Sequence, residues 1–142
     1  MKNLYTTTAL IAAAGLYVAT PSIAQADELV LYCSVQEEWC RGMSEAFERE
    51  TGIEVLMTRR SSGETFAQLA AEAEQPRGDV WWGGTGDPHL QAAQEGLTEE
   101  YQSEMLGNLQ DWAVRQAETA NSRTVGIYAG GLGFGYNSDL VE

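Results

Sequence analysis

The sequence predicts an α/β fold in which helices flank a mainly parallel sheet. Short runs rich in β-branched and aromatic residues alternate with stretches whose apolar residues recur at helical spacing. Turn-forming glycines, prolines and serines separate most of these runs. The chain has 142 residues, 44% hydrophobic and 20% charged, which is typical of a globular protein of one domain or less.

The first half of the chain alternates between predicted strands and helices. Residues 36–51 carry apolar residues at helical spacing with acids in the first turn, and Gly52 ends this helix. A second helix begins at the capping box of Ser61 and Glu64 and runs to about residue 74. The predicted strands span residues 28–33, 53–58 and 79–82.

The third predicted helix follows a glycine-rich turn at residues 83–86. Asp87 is its predicted N-cap, Pro88 takes its first helical position, and Gly96 ends it. Between residues 97 and 122 the apolar spacing favours one further helix.

The last predicted elements are two strands and a cap. Residues 124–129 and 132–136 read as strands separated by a pair of glycines. Asn137 then begins a pattern typical of a helix cap.

Three loops each follow a predicted parallel strand and precede a helix. In open α/β sheets, ligands bind outside the carboxyl ends of the strands, so we expect these loops to share one rim. Helix starts expose unpaired amides that suit anionic or oxygen-rich groups. Helix capping alone explains the same serines and glycines equally well. The loops span residues 34–36, 60–63 and 83–87.

The N-terminal residues 1–26 have the pattern of a secretory signal peptide. Lys2 supplies the positive start, residues 9–19 form an apolar run, and residues 24–26 are a small-x-small cleavage signal. The mature chain is predicted to begin at Asp27 and to be free in a bacterial periplasm, since the apolar run is too short to span a bilayer.

Cys33 and Cys40 are the two cysteines of this chain. Export favours a disulfide between them. Two buried thiols or a half-built metal site are the alternatives, although the spacing fits none of the usual short zinc motifs.

Net charge excludes one class of partner. The formal charge of −13 argues against nucleic acid, because phosphate binding needs clustered basic residues. A strongly charged surface of one sign suits a soluble monomer.

The sequence gives little support for a catalytic site or for a bound cofactor. The sequence contains no Gly-x-Ser-x-Gly elbow, and Tyr136 replaces the final glycine of a dinucleotide fingerprint. An exported enzyme that uses Cys33 or His89 is the alternative of another class. His89 is predicted to be solvated rather than to bind metal, since the chain has no second histidine.

Trp81 and Trp82 end the third predicted strand. Adjacent tryptophans in a strand are more typical of core than of a binding site, and alternation places them on opposite faces.

Several motifs in order resemble the periplasmic solute-binding proteins of ABC importers, in the branch that includes binders of ferric iron, polyamines, thiamine, phosphonates and sugar phosphates. The motifs are LVLYCSVQEEW, FERETGIEV, SSGETFAQL, GDVWWGGTGD and TVGIYAGGLGFGYNSDLV. The resemblance implies a type II fold of two α/β lobes that close on a ligand and deliver it to a membrane permease.

The resemblance also implies that residues 27–142 form an incomplete first lobe, truncated at the hinge strand and without the second lobe. Such a fragment is expected to be marginally stable and to expose a strand edge and apolar surface. The implied ligand-binding residues are Ser34, Gln36, Ser61, Ser62, Gly63, Gly84, Thr85 and Asp87. The implied hinge glycines are Gly130, Gly131, Gly133 and Gly135.

The implied ligand is iron(III) or an iron complex, and the alternatives are a small anionic organic solute, a polyamine or thiamine. Ferric-iron binders can place a histidine and a glutamate where this sequence has Gln36 and Gly84. No resident cofactor is expected, and the metal-binding residues stay open.

Overall fold

The structure is a computed structural model that describes residues 28–131 and 133–140. The predicted leader, the mature start at Asp27 and Leu132 of the last predicted strand lie outside these residues. The elements in chain order are β1 (Glu28–Cys33), α1 (Glu37–Thr51), β2 (Glu54–Arg59), α2 (Ser62–Ala71), β3 (Val80–Trp82), α3 (Gly86–Gln94), a 3₁₀ turn (Leu106–Asn108) and α4 (Asp111–Thr119).

The three strands form one parallel sheet in the order β2-β1-β3. β1 is central, and its last three residues are buried because neighbouring elements cover both faces. On β2, Val55 and Met57 are half-buried while Leu56 is exposed, as expected for a strand covered on one face. The predicted α/β fold with a parallel sheet is confirmed.

A disulfide lies at the centre of the core beneath α1. Cys33 and Cys40 are bonded, with a Cα–Cα distance of 6.2 Å, and both are fully buried. Val35 joins this core, and Met57 and Trp82 pack against it. The bond ties the end of β1 to the start of α1, so it holds the connecting loop in place.

The helix start after the third strand differs from the prediction. α3 begins at Gly86 with Thr85 as its N-cap, rather than at Pro88 with Asp87 as its N-cap. Thr85 has an extended backbone (φ −84°, ψ 147°) because its N–H donates to a hydroxyl of the second loop, which places it just outside the helix. Pro88 is therefore the third helical residue, two positions further in than predicted, and is tolerated there because the amides of a first turn have no intrahelical partner.

One other helix boundary differs from the prediction, and the helix favoured within residues 97–122 is short. α2 ends at Ala71 rather than near residue 74, and the Glu72 side chain instead accepts a hydrogen bond from the Tyr32 hydroxyl at 2.8 Å. The one further helix favoured within residues 97–122 is present as the nine-residue α4, although Leu106 lies in the 3₁₀ turn before it.

The two strands predicted after residue 123 are wrong. Residues 124–129 and the described part of 132–136 have irregular backbone and pair with none of the three strands. Gly126 packs closely on α4, where an added Cβ would lie 2.4 Å from the Trp112 ring. A strand needs a partner for its backbone groups, and here a cleft of about 980 Å³ separates β3 from residues 124–128.

The Asn137 pattern forms a capped turn. The Asn137 Oδ1 accepts from the Asp139 N–H at 2.9 Å, although no helix follows within the described residues. Among the described helices, none has the length and apolar character needed to cross a membrane.

Candidate functional site

The three strand-to-helix loops meet at one edge of the sheet. The Ser34 N–H donates to the Trp82 carbonyl at 3.0 Å, which joins the first loop to the end of β3. The Thr85 N–H donates to the Ser62 hydroxyl at 3.1 Å, which joins the second and third loops. The loops therefore converge as the parallel topology predicts.

Gly84 is the point of closest approach between these loops. Its backbone has φ of 98°, and an added Cβ would lie 2.3 Å from the Ser62 Oγ and 2.9 Å from the Ser34 Cβ. The left-handed conformation and the close approach both require glycine. The structure thus brings together four of the residues proposed from the sequence, namely Ser34, Ser62, Gly84 and Thr85.

Ser34 lies beneath the rim, in a hydrogen-bonded network. Its hydroxyl lies 3.0 Å from the Thr65 Oγ1 and accepts from the Trp81 indole N–H at 2.8 Å. Thr65 is fully buried. These bonds use the Ser34 side chain to hold the loops, so its role at the site is to support the rim. Sequence reasoning missed Thr65, although its place one turn after Ser61 on the inner face of α2 is a usable signal.

The start of α2 is a complete capping box. The Glu64 carboxylate accepts from the N–H and the hydroxyl of Ser61, and the Ser61 Oγ accepts from the Glu64 N–H. Bonds from the Ser61 backbone and side chain lower the pKa of Glu64, so this cap is ionised at neutral pH. The amides of Ser62 and Gly63 have no intrahelical carbonyl to bond and point along the helix start.

The other residues proposed from the sequence lie at exposed helix starts. Gln36 is the N-cap of α1, and its side chain makes no capping bond. Asp87 lies in the first turn of α3 and is exposed. Gly63 is exposed, with open space where a side chain would stand.

His89 is half-buried against β3 rather than freely solvated, which corrects the sequence prediction. Its ring stacks on Trp81 with a centroid distance of 3.7 Å, and its Nε2 lies 2.8 Å from the Gly83 carbonyl oxygen. Because a carbonyl only accepts, Nε2 carries the proton in this contact. Burial lowers the pKa of His89, and the bond to Gly83 opposes part of this shift. Helical periodicity alone did not show that the ring turns back onto β3.

Tyr128 and Trp39 complete the rim and were missed by the sequence analysis. The Tyr128 hydroxyl accepts from the Gly84 N–H at 2.8 Å and donates to the Gly84 carbonyl at 2.9 Å. Its ring meets Trp39 edge to face at 5.7 Å. Tyr128 is 44 residues from Gly84 in sequence, so no local pattern could have joined them.

The glycines proposed as a hinge occupy irregular, exposed backbone. No other part of the described chain lies within 4 Å of where a Cβ would stand on any of them. Their conformational freedom is compatible with a hinge, which stays a prediction. The four are Gly130, Gly131, Gly133 and Gly135.

The large cleft and the loop site are different features. The cleft follows the outer edge of β3 from Arg77 to Gly84, with residues 124–128 as its far wall. It touches the loops only at one end, through Gly83, Gly84 and Gly86. We place the candidate site at the loops, because the carboxyl ends of parallel strands are where helix amides converge.

Oxygen and nitrogen atoms of hydroxyls and amides dominate the loop site. No group of three or more histidine, cysteine, aspartate or glutamate side chains clusters anywhere in residues 28–131 and 133–140. Cys33 offers no thiol because it is bonded to Cys40. The arrangement is suited to hydrogen bonding of an oxygen-rich group rather than to nucleophilic chemistry.

Comparison with known proteins agrees with this architecture. Residues 29–131 match the family of bacterial extracellular solute-binding proteins. This chain belongs to that family, whose members bind substrates and are not enzymes.

One relative is an uncharacterized protein of Haemophilus influenzae, 39% identical over 139 residues. The match covers 98% of this chain but 40% of the relative. The chain thus spans less than half the length of the relative that it matches.

Solved structures with the same fold are periplasmic binding proteins of type II. The periplasmic binding protein P5PA is 30% identical with a TM-score of 0.63, over 68% of this chain and 31% of P5PA. AfuA from Actinobacillus pleuropneumoniae, with fructose-6-phosphate bound, is 37% identical with a TM-score of 0.59, over 61% and 27% of the two chains. Iron-bound HitA from Pseudomonas aeruginosa is 23% identical with a TM-score of 0.58, over 61% and 28%, and shares the fold.

Proposed function

We propose that this chain is the first lobe of an extracytoplasmic solute receptor that serves an ABC importer and does no catalysis. The leader predicted over residues 1–26 would export it to the periplasm, where the mature protein would begin at Asp27. Its partners would be a small ligand and a membrane permease. Family membership supports this receptor role.

The ligand that the loops suit best is a small phosphorylated organic solute. The carrying observation is the convergence of the α2 and α3 starts at Gly84, where Thr85 N–H bonds to Ser62. Two helix starts at one point concentrate amides and the positive ends of two helix dipoles, which favour a dianion. The 37% identity to AfuA, whose structure holds fructose-6-phosphate, supports the same class.

The iron(III) expectation stays a prediction. HitA, at 23% identity, shares the fold alone, and the positions compared with ferric-iron ligands carry Gln36 and Gly84, which provide no anionic side chain. A phosphate ester therefore accounts better for the groups that line the rim.

Backbone ¹⁵N NMR titration of mature 27–142 tests the ligand class. Fructose 6-phosphate is expected to shift the amide signals of Ser62, Gly63 and Gly84, while fructose leaves them in place. Binding should be weak because one lobe encloses only one side of a ligand. Ferric citrate is the competing probe.

Variants at two serines show whether the shifts come from the proposed site. Ser62→Ala removes the hydroxyl that holds Thr85 and should abolish the shifts, whereas Ser138→Ala alters an exposed turn and should keep them. Equal shifts with fructose and its phosphate, or binding of ferric citrate alone, would contradict the assignment.

A further inference from the structure

Tyr128 holds the amide at the centre of the candidate site. Its hydroxyl makes two hydrogen bonds to the Gly84 backbone: it accepts from the N–H at 2.8 Å and donates to the carbonyl at 2.9 Å. The adjacent Thr85 amide is bonded to Ser62. Both central amides of the third loop are therefore occupied within the protein, and a ligand can use the Gly84 N–H only by replacing Tyr128.

The surroundings of Tyr128 allow such replacement. Residues 124–129 have irregular backbone, so moving this segment breaks no strand pairing. The Tyr128 side chain contacts Trp39 edge to face, and both residues are substantially exposed, at 36% and 51%. Water therefore already reaches both rings of this contact before Tyr128 is released.

The chemistry of the two acceptors favours the exchange. A neutral phenol oxygen accepts the Gly84 N–H in the unliganded lobe, whereas a phosphate oxygen carries charge. Hydrogen bonds to a charged acceptor are about twice as strong as those between neutral groups. A phosphate dianion can thus replace the hydroxyl as the acceptor of the Gly84 N–H, although it cannot donate to the Gly84 carbonyl, while a sugar hydroxyl only restores the bonds that Tyr128 already makes.

We propose that Tyr128 is a latch that an oxyanion ligand displaces from Gly84, which also separates its ring from Trp39. The latch makes the lobe favour charged ligands, since a neutral hydroxyl offers Gly84 only the bonds that Tyr128 already makes, whereas a charged acceptor binds the N–H more strongly. This inference rests on the proposed function, because it assigns the class of ligand at the same site.

Tyr128→Phe tests the latch, with Tyr101→Phe as the matched control on an exposed tyrosine outside the loops. Without ligand, the Gly84 amide proton is expected to exchange at least about tenfold faster in Tyr128→Phe than in the wild type, because it loses its partner. With fructose 6-phosphate, this variant should bind about fivefold more tightly, the factor of one hydrogen bond of ordinary net strength. Tyr101→Phe should match the wild type in both measurements.

Trp39 provides a second signal of displacement. Fructose 6-phosphate should change the tryptophan emission of the wild type, and Trp39→Phe should remove that change. An unchanged emission would overturn the separation of the two rings.

The results separate the latch from the proposed function. A purely supporting tyrosine predicts weaker binding in Tyr128→Phe, so weaker or equal binding overturns the latch and leaves the receptor role intact. Equal exchange of the Gly84 amide in variant and wild type also overturns it, with no ligand needed. Failure of both proteins to bind fructose 6-phosphate overturns the phosphate assignment together with the displacement step.

Discussion

The backbone at Gly84 adopts a φ of 98° in the narrow space between the hydroxyl of Ser62 and the side chain of Ser34. No other residue type meets both demands at this place. The loops can converge only because this position lacks a side chain, so a single glycine determines the geometry of the candidate site.

Gly84→Ala is therefore expected to lower the free energy of unfolding by about 2 kcal/mol or more, from backbone strain and the clash with Ser62. Gly63→Ala is the matched control, because its Cβ would enter open space in the first turn of α2. Urea unfolding of both variants measures the difference. Equal midpoints for the two would contradict the crowding at Gly84.

His89 makes stability depend on pH in a defined direction. Burial lowers its pKa below the ordinary value of 6.5, so the unfolded chain binds the proton more readily. The resulting stabilisation is complete above about pH 6.5 and is lost progressively as the pH falls toward the lowered native pKa.

The His89→Gln variant isolates this contribution, because glutamine cannot titrate but retains an N–H donor. Between about pH 7.5 and about pH 5.5, the urea midpoint of the wild type should fall further than that of His89→Gln. Parallel loss of stability in the two proteins would show that other groups cause the dependence.

At the scale of elements, the Cys33–Cys40 bond anchors α1 to the central strand. It closes a short loop of the chain, with a sequence separation of 7, and both cysteines are fully buried. Trp39 immediately precedes Cys40, so the bond also positions the aromatic partner of Tyr128.

The Cys33→Ala/Cys40→Ala double variant is expected to lose about 2–3 kcal/mol of unfolding free energy, the loop-entropy value for a short closed loop. Met43→Ala, an exposed change on the same helix, should lose less than about 0.5 kcal/mol. Chemical denaturation without reductant is the measurement. A double variant as stable as Met43→Ala would refute the anchoring role.

Elements with local signals were predictable, and those that need a partner were not. The start of α2 and the end of α1 depend on nearby residues, namely Ser61, Glu64 and Gly52, and the structure places them as expected. Residues 124–129 have the composition of a strand, but a strand forms only where another pairs with it. The start of α3 moved because a bond from another loop holds Thr85 outside the helix.

At the scale of the molecule, the outer edge of β3 pairs with no other strand of residues 28–131 and 133–140 and faces the cleft of about 980 Å³. The side chains of Val80, Val125 and Ile127 are 37–43% exposed along this region. The core under α1 is small, since it consists of Cys33, Val35 and Cys40 with two partly buried neighbours. This cluster therefore removes little apolar surface from water on folding.

A protein of residues 27–142 is expected to unfold in urea with a low midpoint and a slope below that usual for its length, because the slope scales with the surface that unfolding exposes. It should also bind a hydrophobic dye before denaturant is added. The full-length relative from Haemophilus influenzae provides the comparison. A steep transition with a slope appropriate to the length would contradict marginal stability.

The sequence by itself determined the α/β class, the order of the first three strands and helices, and the loops at which a ligand was expected, because periodicity, capping and the parallel arrangement are local or topological properties. Only the tertiary structure decided which residues occupy the rim. It bonded Tyr128 to Gly84, turned His89 onto Trp81 and placed Ser34 in a half-buried hydrogen-bonded network. These contacts join residues up to 47 positions apart in the sequence. Which of these distant residues meet is decided by how the elements pack rather than by any pattern along the chain.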